Sequence, residues 1–164
     1  MATFFPMRNW VHVLRASGFV FRQRRTFGLR VINKTGVSIA KNVVVTISGY
    51  DVTSKLPKIV LADNDAAGLH TDCYVTKAAI ANNAQADVFK GFMSSADINT
   101  SGATAAGDPV FLSATPGGFT HTAPTGAAVT RILVGYVQVK SATVGQIAWD
   151  VQPNVLNSTI DMNA

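Results

Sequence analysis

The apolar positions of this chain fall in short runs closed by Gly, Pro, Asn or Asp, the pattern of β-strands joined by turns. Leu29-Arg30-Val31-Ile32 is the first such run, followed by the turn-like Asn33-Lys34-Thr35-Gly36. Asn42 to Gly49 is β-branched through its middle, which predicts a strand buried on both faces or lying at an interface. Lys58 to Ala62 and Cys73 to Thr76 predict two more strands, with the loop Asp63 to Gly68 between them. Lys77 to Asn83 reads as a short helical turn or a strand end, and Asp87 to Met93 as a strand. The second half is punctuated more clearly. Asn99 to Gly102 is a turn, Pro109 to Ser113 a strand, and Pro116-Gly117-Gly118 reverses the chain. Phe119 to Pro124 alternates, Arg131 to Lys140 is a longer strand, Ser141 to Gly145 turns it, and Gln146 to Val151 is the last strand. Strands of about four to eight residues at this spacing predict an all-β fold, with a β-barrel or β-sandwich body.

The two halves share a motif. Asn33-Lys34-Thr35-Gly36 running into Asn42 to Val45 resembles Asn99-Thr100-Ser101-Gly102 running into Asp108 to Phe111. One constant offset matches Gly36 with Gly102, Ala40 with Ala106 and Val44 with Val110. Either the chain repeats internally or one turn-and-strand grammar is used twice; two copies do not make a solenoid. The expected organisation is an extended N-terminal arm over 1–30, a first β-rich segment over 31–95, a second over 96–152 and a C-terminal tail over 153–164.

Composition agrees with strands and adds a hint of partners. All nine acidic residues are Asp, and Asp favours turns and caps where Glu favours helices. Apolar residues make up 48% and charged residues only 14%, well under the quarter typical of a soluble domain. That shortfall points to surface covered by other molecules, although a small Ala-, Gly- and Val-rich domain can simply be weakly charged.

Charge is unevenly placed. Residues 1–30 hold Arg8, Arg15, Arg22, Arg24, Arg25 and Arg30 and no acid, a net +6; residues 31–164 hold eight Lys or Arg against nine Asp, a net −1. The basic character therefore belongs to the arm, where Phe4, Phe5, Trp10, Phe19, Phe21 and Phe27 are interleaved with Arg. Such an arm binds nucleic acid through phosphate contacts and stacking, or threads across an acidic protein surface with its rings in pockets. A third reading makes it a strand of the fold with exposed Arg. Protein docking is favoured, because the body offers no continuing basic groove. Trp10, Phe19, Phe21, Arg22, Arg24 and Arg25 are the expected anchors.

Candidate chemistry is sparse. The lone Cys73 excludes an intrachain disulfide framework and reads as a small buried thiol without a neighbouring base. His12, His70 and His121 lie too far apart for metal-ligand spacing. Asp63, Asp65, His70 and Asp72 form the nearest cluster, but an EF-hand loop ends in Glu and this chain has none, so a solvated turn is preferred. No P-loop, dinucleotide fingerprint or nucleophile elbow is present. The expectation is a non-enzyme with no catalytic residue, no cofactor and no metal. Arg8 and Arg15 interrupt the N-terminal apolar runs, and no run approaches the length of a membrane helix, so the chain reads as neither secreted nor membrane-inserted.

A family resemblance follows from Gly107-Asp108-Pro109-Val110-Phe111-Leu112-Ser113-Ala114-Thr115-Pro116-Gly117-Gly118-Phe119-Thr120. It continues through Val134-Gly135-Tyr136-Val137 and Gly145 to Asp150, with Asn33 to Gly36 and Leu61-Ala62-Asp63 upstream. Over roughly residues 30–152 the chain resembles small β-rich structural proteins of tailed phages, including capsid decoration (cement) proteins. The resemblance implies a virion protein on the capsid surface, made in the host cytoplasm. Its partner would be the major capsid protein, and it would act as a homo-oligomer that stabilises the shell; no membrane partner is expected, and nucleic acid is disfavoured because the body is not basic. The alternative is a head-fibre, tail or adhesin-type virion protein whose loop 64–72 binds a host-surface glycan. A nucleic-acid-binding accessory protein is the third reading.

Overall fold

A computed structural model describes residues 27–65, 72–91, 93–125, 129 and 131–151. Ten strands and no helix occur among the described residues. They are β1 (Phe27–Asn33), β2 (Val44–Asp51), β3 (Leu56–Leu61), β4 (Cys73–Thr76), β5 (Gln85–Lys90), β6 (Met93–Ile98), β7 (Pro109–Leu112), β8 (Phe119–Thr120), β9 (Leu133–Val139) and β10 (Gly145–Trp149). The all-β class is as expected, and the body is a barrel joined to a second sheet.

The first five strands close into a barrel in the order β1-β3-β2-β4-β5. Closure is made by β5 lying antiparallel on β1, from Phe27↔Lys90 to Ile32↔Gln85. The β1–β3 seam is parallel and short, with the pairs Ile32↔Lys58 and Asn33↔Ile59. Strands β6 to β10 form a second sheet in the order β6-β10-β9-β7-β8. If each strand is matched to the one five places earlier, this is the barrel's own circular order, opened between the counterparts of β3 and β1. The repeated motif in the sequence is therefore a repeated unit in the fold. The two Asn turns agree in detail. Asn33 Oδ1 accepts the Thr35 amide at 3.0 Å and its hydroxyl at 2.7 Å, and Asn99 Oδ1 accepts the Ser101 amide at 3.0 Å and its hydroxyl at 2.7 Å.

Alternation along β2 and β4 explains how the two units share material. Val45 and Tyr74 point into the barrel, with Val31, Ile39, Ile59, Ile80 and Val88. Their neighbours Val44, Cys73 and Val75 point outward, where they pack with Ala62 against Ile98, Val110, Leu112, Val134, Ile147 and Trp149. A strand shows alternate side chains to opposite faces, so one wall of the barrel serves two cores. This is the two-faced burial expected for residues 42–49. It also explains why the second sheet stays open: its inner face is filled by the first unit's outer wall.

Three sequence expectations differ from the fold. The run Asp87 to Met93 is divided between β5 and β6, because Gly91 takes a left-handed φ of 97° and redirects the chain into the second sheet. Residues 77–83 form no helical turn; they are a loop anchored by an Ile39↔Ile80 bridge. The first strand begins at Phe27, two residues before the run Leu29 to Ile32 read as a strand, so Phe27 and Gly28, read with the arm, belong to β1.

Candidate functional site

The barrel end at which β1 begins is defined by strand direction. Because β1 and β3 run parallel, both begin at the same end. The arm precedes β1, and the β2–β3 hairpin tip, residues 52–55, precedes β3. Strand β5 runs opposite to β1 and finishes there at Lys90, and β4 starts there at Cys73. Trp10, Phe19, Phe21, Arg22, Arg24 and Arg25 lie outside the described residues. Arg30 belongs to β1, where its guanidinium makes an exposed pair with Asp87 at 3.4 Å, a contact worth little by itself.

The hairpin tip is firmly built. β2 and β3 pair from Val45↔Leu61 to Asp51↔Leu56. Beyond the last pair, the Ser54 amide donates to Asp51 Oδ2 at 2.8 Å, and Lys55 adopts a left-handed φ of 57°. The Asp51 carboxyl is held below its ordinary pKa by hydrogen bonds from the Ser54 hydroxyl and amide, with help from the charges of Lys34 and Lys58. On this frame Tyr50 is 56% exposed and Val52 80% exposed. The sequence reading did not single out either residue. The only signal was an isolated Val among the polar residues Asp51, Thr53, Ser54 and Lys55.

At the same barrel end a cluster gathers at the start of β4 and the end of β5. Asp72 accepts from the Tyr74 hydroxyl at 2.9 Å and pairs with the Lys90 ammonium, which also sits 5.4 Å from the centre of the Tyr74 ring. Burial works to raise the Asp72 pKa, but the bonds from Lys90 and Tyr74 outweigh it and hold the carboxyl below its ordinary value. The Tyr74 hydroxyl is pushed up to about 12 by burial and by its bond to Asp72. Burial, reinforced by the Asp72 charge, likewise pushes the Cys73 thiol up to about 12, so it stays protonated and buried.

This geometry bears on two clusters named from sequence. Of the Asp63, Asp65, His70 and Asp72 group, Asp72 is committed to Lys90 and Tyr74, and His70 lies outside the described residues. Among the described residues no three His, Cys, Asp or Glu side chains come together as a metal site. Of the 64–72 loop, Asn64 is buried: its side-chain amide donates to the Leu112 carbonyl at 2.8 Å, and its backbone amide to the Ser113 carbonyl. Asn64 thus ties the barrel to the second sheet. His121, in the second unit, lies edge-on to Phe119, which lies edge-on to the buried Trp149, each with ring centres 5.7 Å apart.

These features define an all-β protein of two related five-stranded units, with Tyr50 and Val52 exposed on the β2–β3 hairpin at the barrel end where β1 begins. No family model matches the chain, and no curated protein does. Among solved structures, the N base of the head fibre protein gp8.5 of bacteriophage phi29 is similar, with a TM-score of 0.46 and 10% identity over 77% of this chain and 95% of that one. A likeness at this level assigns neither family nor function.

Proposed function

We propose that this chain is a non-enzymatic structural protein of a tailed-phage virion that fastens to the outer surface of the capsid and stabilises the shell. Its partner is the major capsid protein, several copies of the chain act together on the shell, and the arm carries the main contact. The observation that carries this reading is the segregation of charge. Residues 1–30 hold a net +6 and the remainder a net −1, and this cationic stretch precedes and begins β1 of a closed barrel. The sequence resemblance to decoration proteins over residues 30–152 supplies the particle.

The physics of such a role needs area and fit rather than reactive groups. Apolar surface buried between capsomers contributes about 25 cal/mol per Å² before the cost of association is subtracted. Trp10, Phe19 and Phe21 are the residues best suited to fill pockets, and Arg22, Arg24 and Arg25 to bind acidic or carbonyl groups around them.

The test is deletion of residues 1–26 followed by co-sedimentation with shells of the parent phage. The truncation stops at 26 because Phe27 to Arg30 pair with Lys90 to Asp87 and close the barrel. The expected outcome is loss of shell binding with the β-rich circular dichroism spectrum intact. A truncated protein that still sediments with shells overturns the assignment of the arm. Gold-labelled antibody on tails or neck, and not on shell faces, would favour the fibre or tail reading instead.

A further inference from the structure

We propose that His121 is an acid-released latch across the open seam of the second sheet: its neutral ring holds β8 against the β6–β7 connection, and its protonated ring lets go. The inference concerns the folded body alone and does not rest on the shell-binding reading.

The latch lies where the two units differ. In the barrel, β1 and β3 close the ring by backbone pairing at Ile32↔Lys58 and Asn33↔Ile59. Their counterparts β6 and β8 are the two edges of the second sheet, and no ladder joins them among the described residues. His121 directly follows β8, and its ring reaches the connection 99–108 that leaves β6. A Cβ placed on Gly102 would lie 3.2 Å from His121 Cδ2, so the imidazole sits close against that backbone. The same ring lies edge-on to Phe119, which lies edge-on to Trp149. Strand β8 is only two residues long and is held to β7 by the pairs Phe111↔Thr120 and Leu112↔Phe119. A side-chain contact thus stands where the barrel has a ladder, and it secures the shortest strand of the sheet.

The ring is built to hold only while neutral. Its Nδ1 is buried and has no hydrogen-bond partner among the described residues. With the proton on Nε2, Nδ1 leaves a lone pair there at modest cost. Protonation sets a charged N–H donor in the same place with nothing to accept it. The charged groups nearby do not offset this. Asp108 is the acid whose charge favours the imidazolium, but its Oδ2 already accepts the Thr104 and Ala105 amides at 2.6 and 3.0 Å. Lys140, which donates to the Thr104 carbonyl, and Arg131, which donates to the Pro124 carbonyl, add positive charge just beyond the two ends of β9. Burial accordingly keeps the His121 pKa below 6.5. Swinging the ring out to water relieves the unpaired charge, so the seam opens locally while the rest of the fold stays closed.

The experiment is hydrogen–deuterium exchange of the full chain at pH 7 and pH 5, with rates corrected for the intrinsic pH dependence of exchange. Peptides covering 117–122 report the seam, and peptides covering 44–47 report the barrel. Protection of 117–122 should fall about tenfold at pH 5, within the limit of about tenfold per pH unit that one linked proton allows, while 44–47 keeps its protection. In His121→Gln, which cannot take up the proton, protection of 117–122 should be equal at the two pH values. A second measurement needs no substitution: the His121 ring resonance, followed by NMR, should titrate with the same midpoint as the opening of 117–122. The latch is overturned if the segment stays protected at pH 5, or if 44–47 loses protection in step with it. A His121→Gln protein that opens as the unaltered one does, or an opening midpoint that departs from that of the ring, overturns it equally. None of these outcomes bears on whether the chain binds shells.

Discussion

Trp149 is the largest side chain of the shared core and is fully buried, yet its indole N–H has no hydrogen-bond partner among the described residues. Its contribution is therefore packing alone. Trp149→Phe should cost far less than Trp149→Ala, which removes the whole ring and should cost about 3–5 kcal/mol; urea unfolding of the two variants measures the difference. His121 gives a pH dependence of definite sign. Burial lowers its pKa below 6.5, and the Asp108 charge opposes that only in part. A depressed folded-state pKa means the unfolded chain binds the proton more readily. The stability the neutral ring gives is then complete above the unfolded value, and is lost as pH falls through the folded one. The melting temperature should therefore fall between pH 7 and pH 5 more steeply in the unaltered protein than in His121→Gln. Parallel slopes for the two proteins would contradict the assignment.

At the scale of elements, the second sheet depends on close approach between β9 and β10. A Cβ placed on Gly135 would lie 2.4 Å from the Ala148 carbonyl oxygen and 3.1 Å from the Trp149 Cα, both backbone atoms of the neighbouring strand. Gly135→Ala should therefore destabilise by about 1–3 kcal/mol, as overpacking does, without altering the barrel's spectroscopic signature. The β7–β8 turn is joined to the barrel in a comparable way. The Gly117 carbonyl accepts from the Val44 amide, and the Gly117 amide donates to the Ala62 carbonyl. A Cβ at Gly117, whose φ is 75°, would meet Leu61 Cδ2 at 2.8 Å. The sequence marked Pro116-Gly117-Gly118 as a turn but gave no sign that the turn docks on β2 and β3, because that contact joins residues more than fifty positions apart.

For the whole molecule, the shared wall makes the two units interdependent. The outward residues Val44, Ala62, Cys73 and Val75 are covered by the second sheet, and the open sheet's inner face is covered by them. The chain should unfold in one transition, with circular dichroism and Trp fluorescence melting curves superimposed. Residues 27–91 expressed alone should be insoluble or molten, having lost cover for those four side chains. Two separate transitions would show that the wall couples the units less than its burial implies.

What the sequence determined is local. Turn chemistry and period-two burial depend on near neighbours, so the strands around Val44, Ile59, Tyr74, Val134 and Ile147 and the Asn33 and Asn99 turns were legible in it. Its repeated motif pointed to a repeated unit. The strand β6 was not legible: its run of Ser94, Ser95, Ala96 and Asp97 has no apolar period and is held by pairing with β10. Tyr50 and Val52 were missed for a related reason. Exposure is a property of what lies nearby in space, and only the parallel β1–β3 seam shows that their hairpin and the start of β1 belong to one barrel end. Tertiary structure also decided that one unit closes and its counterpart stays open, since a barrel wall can face two cores only when a second sheet packs against its outside.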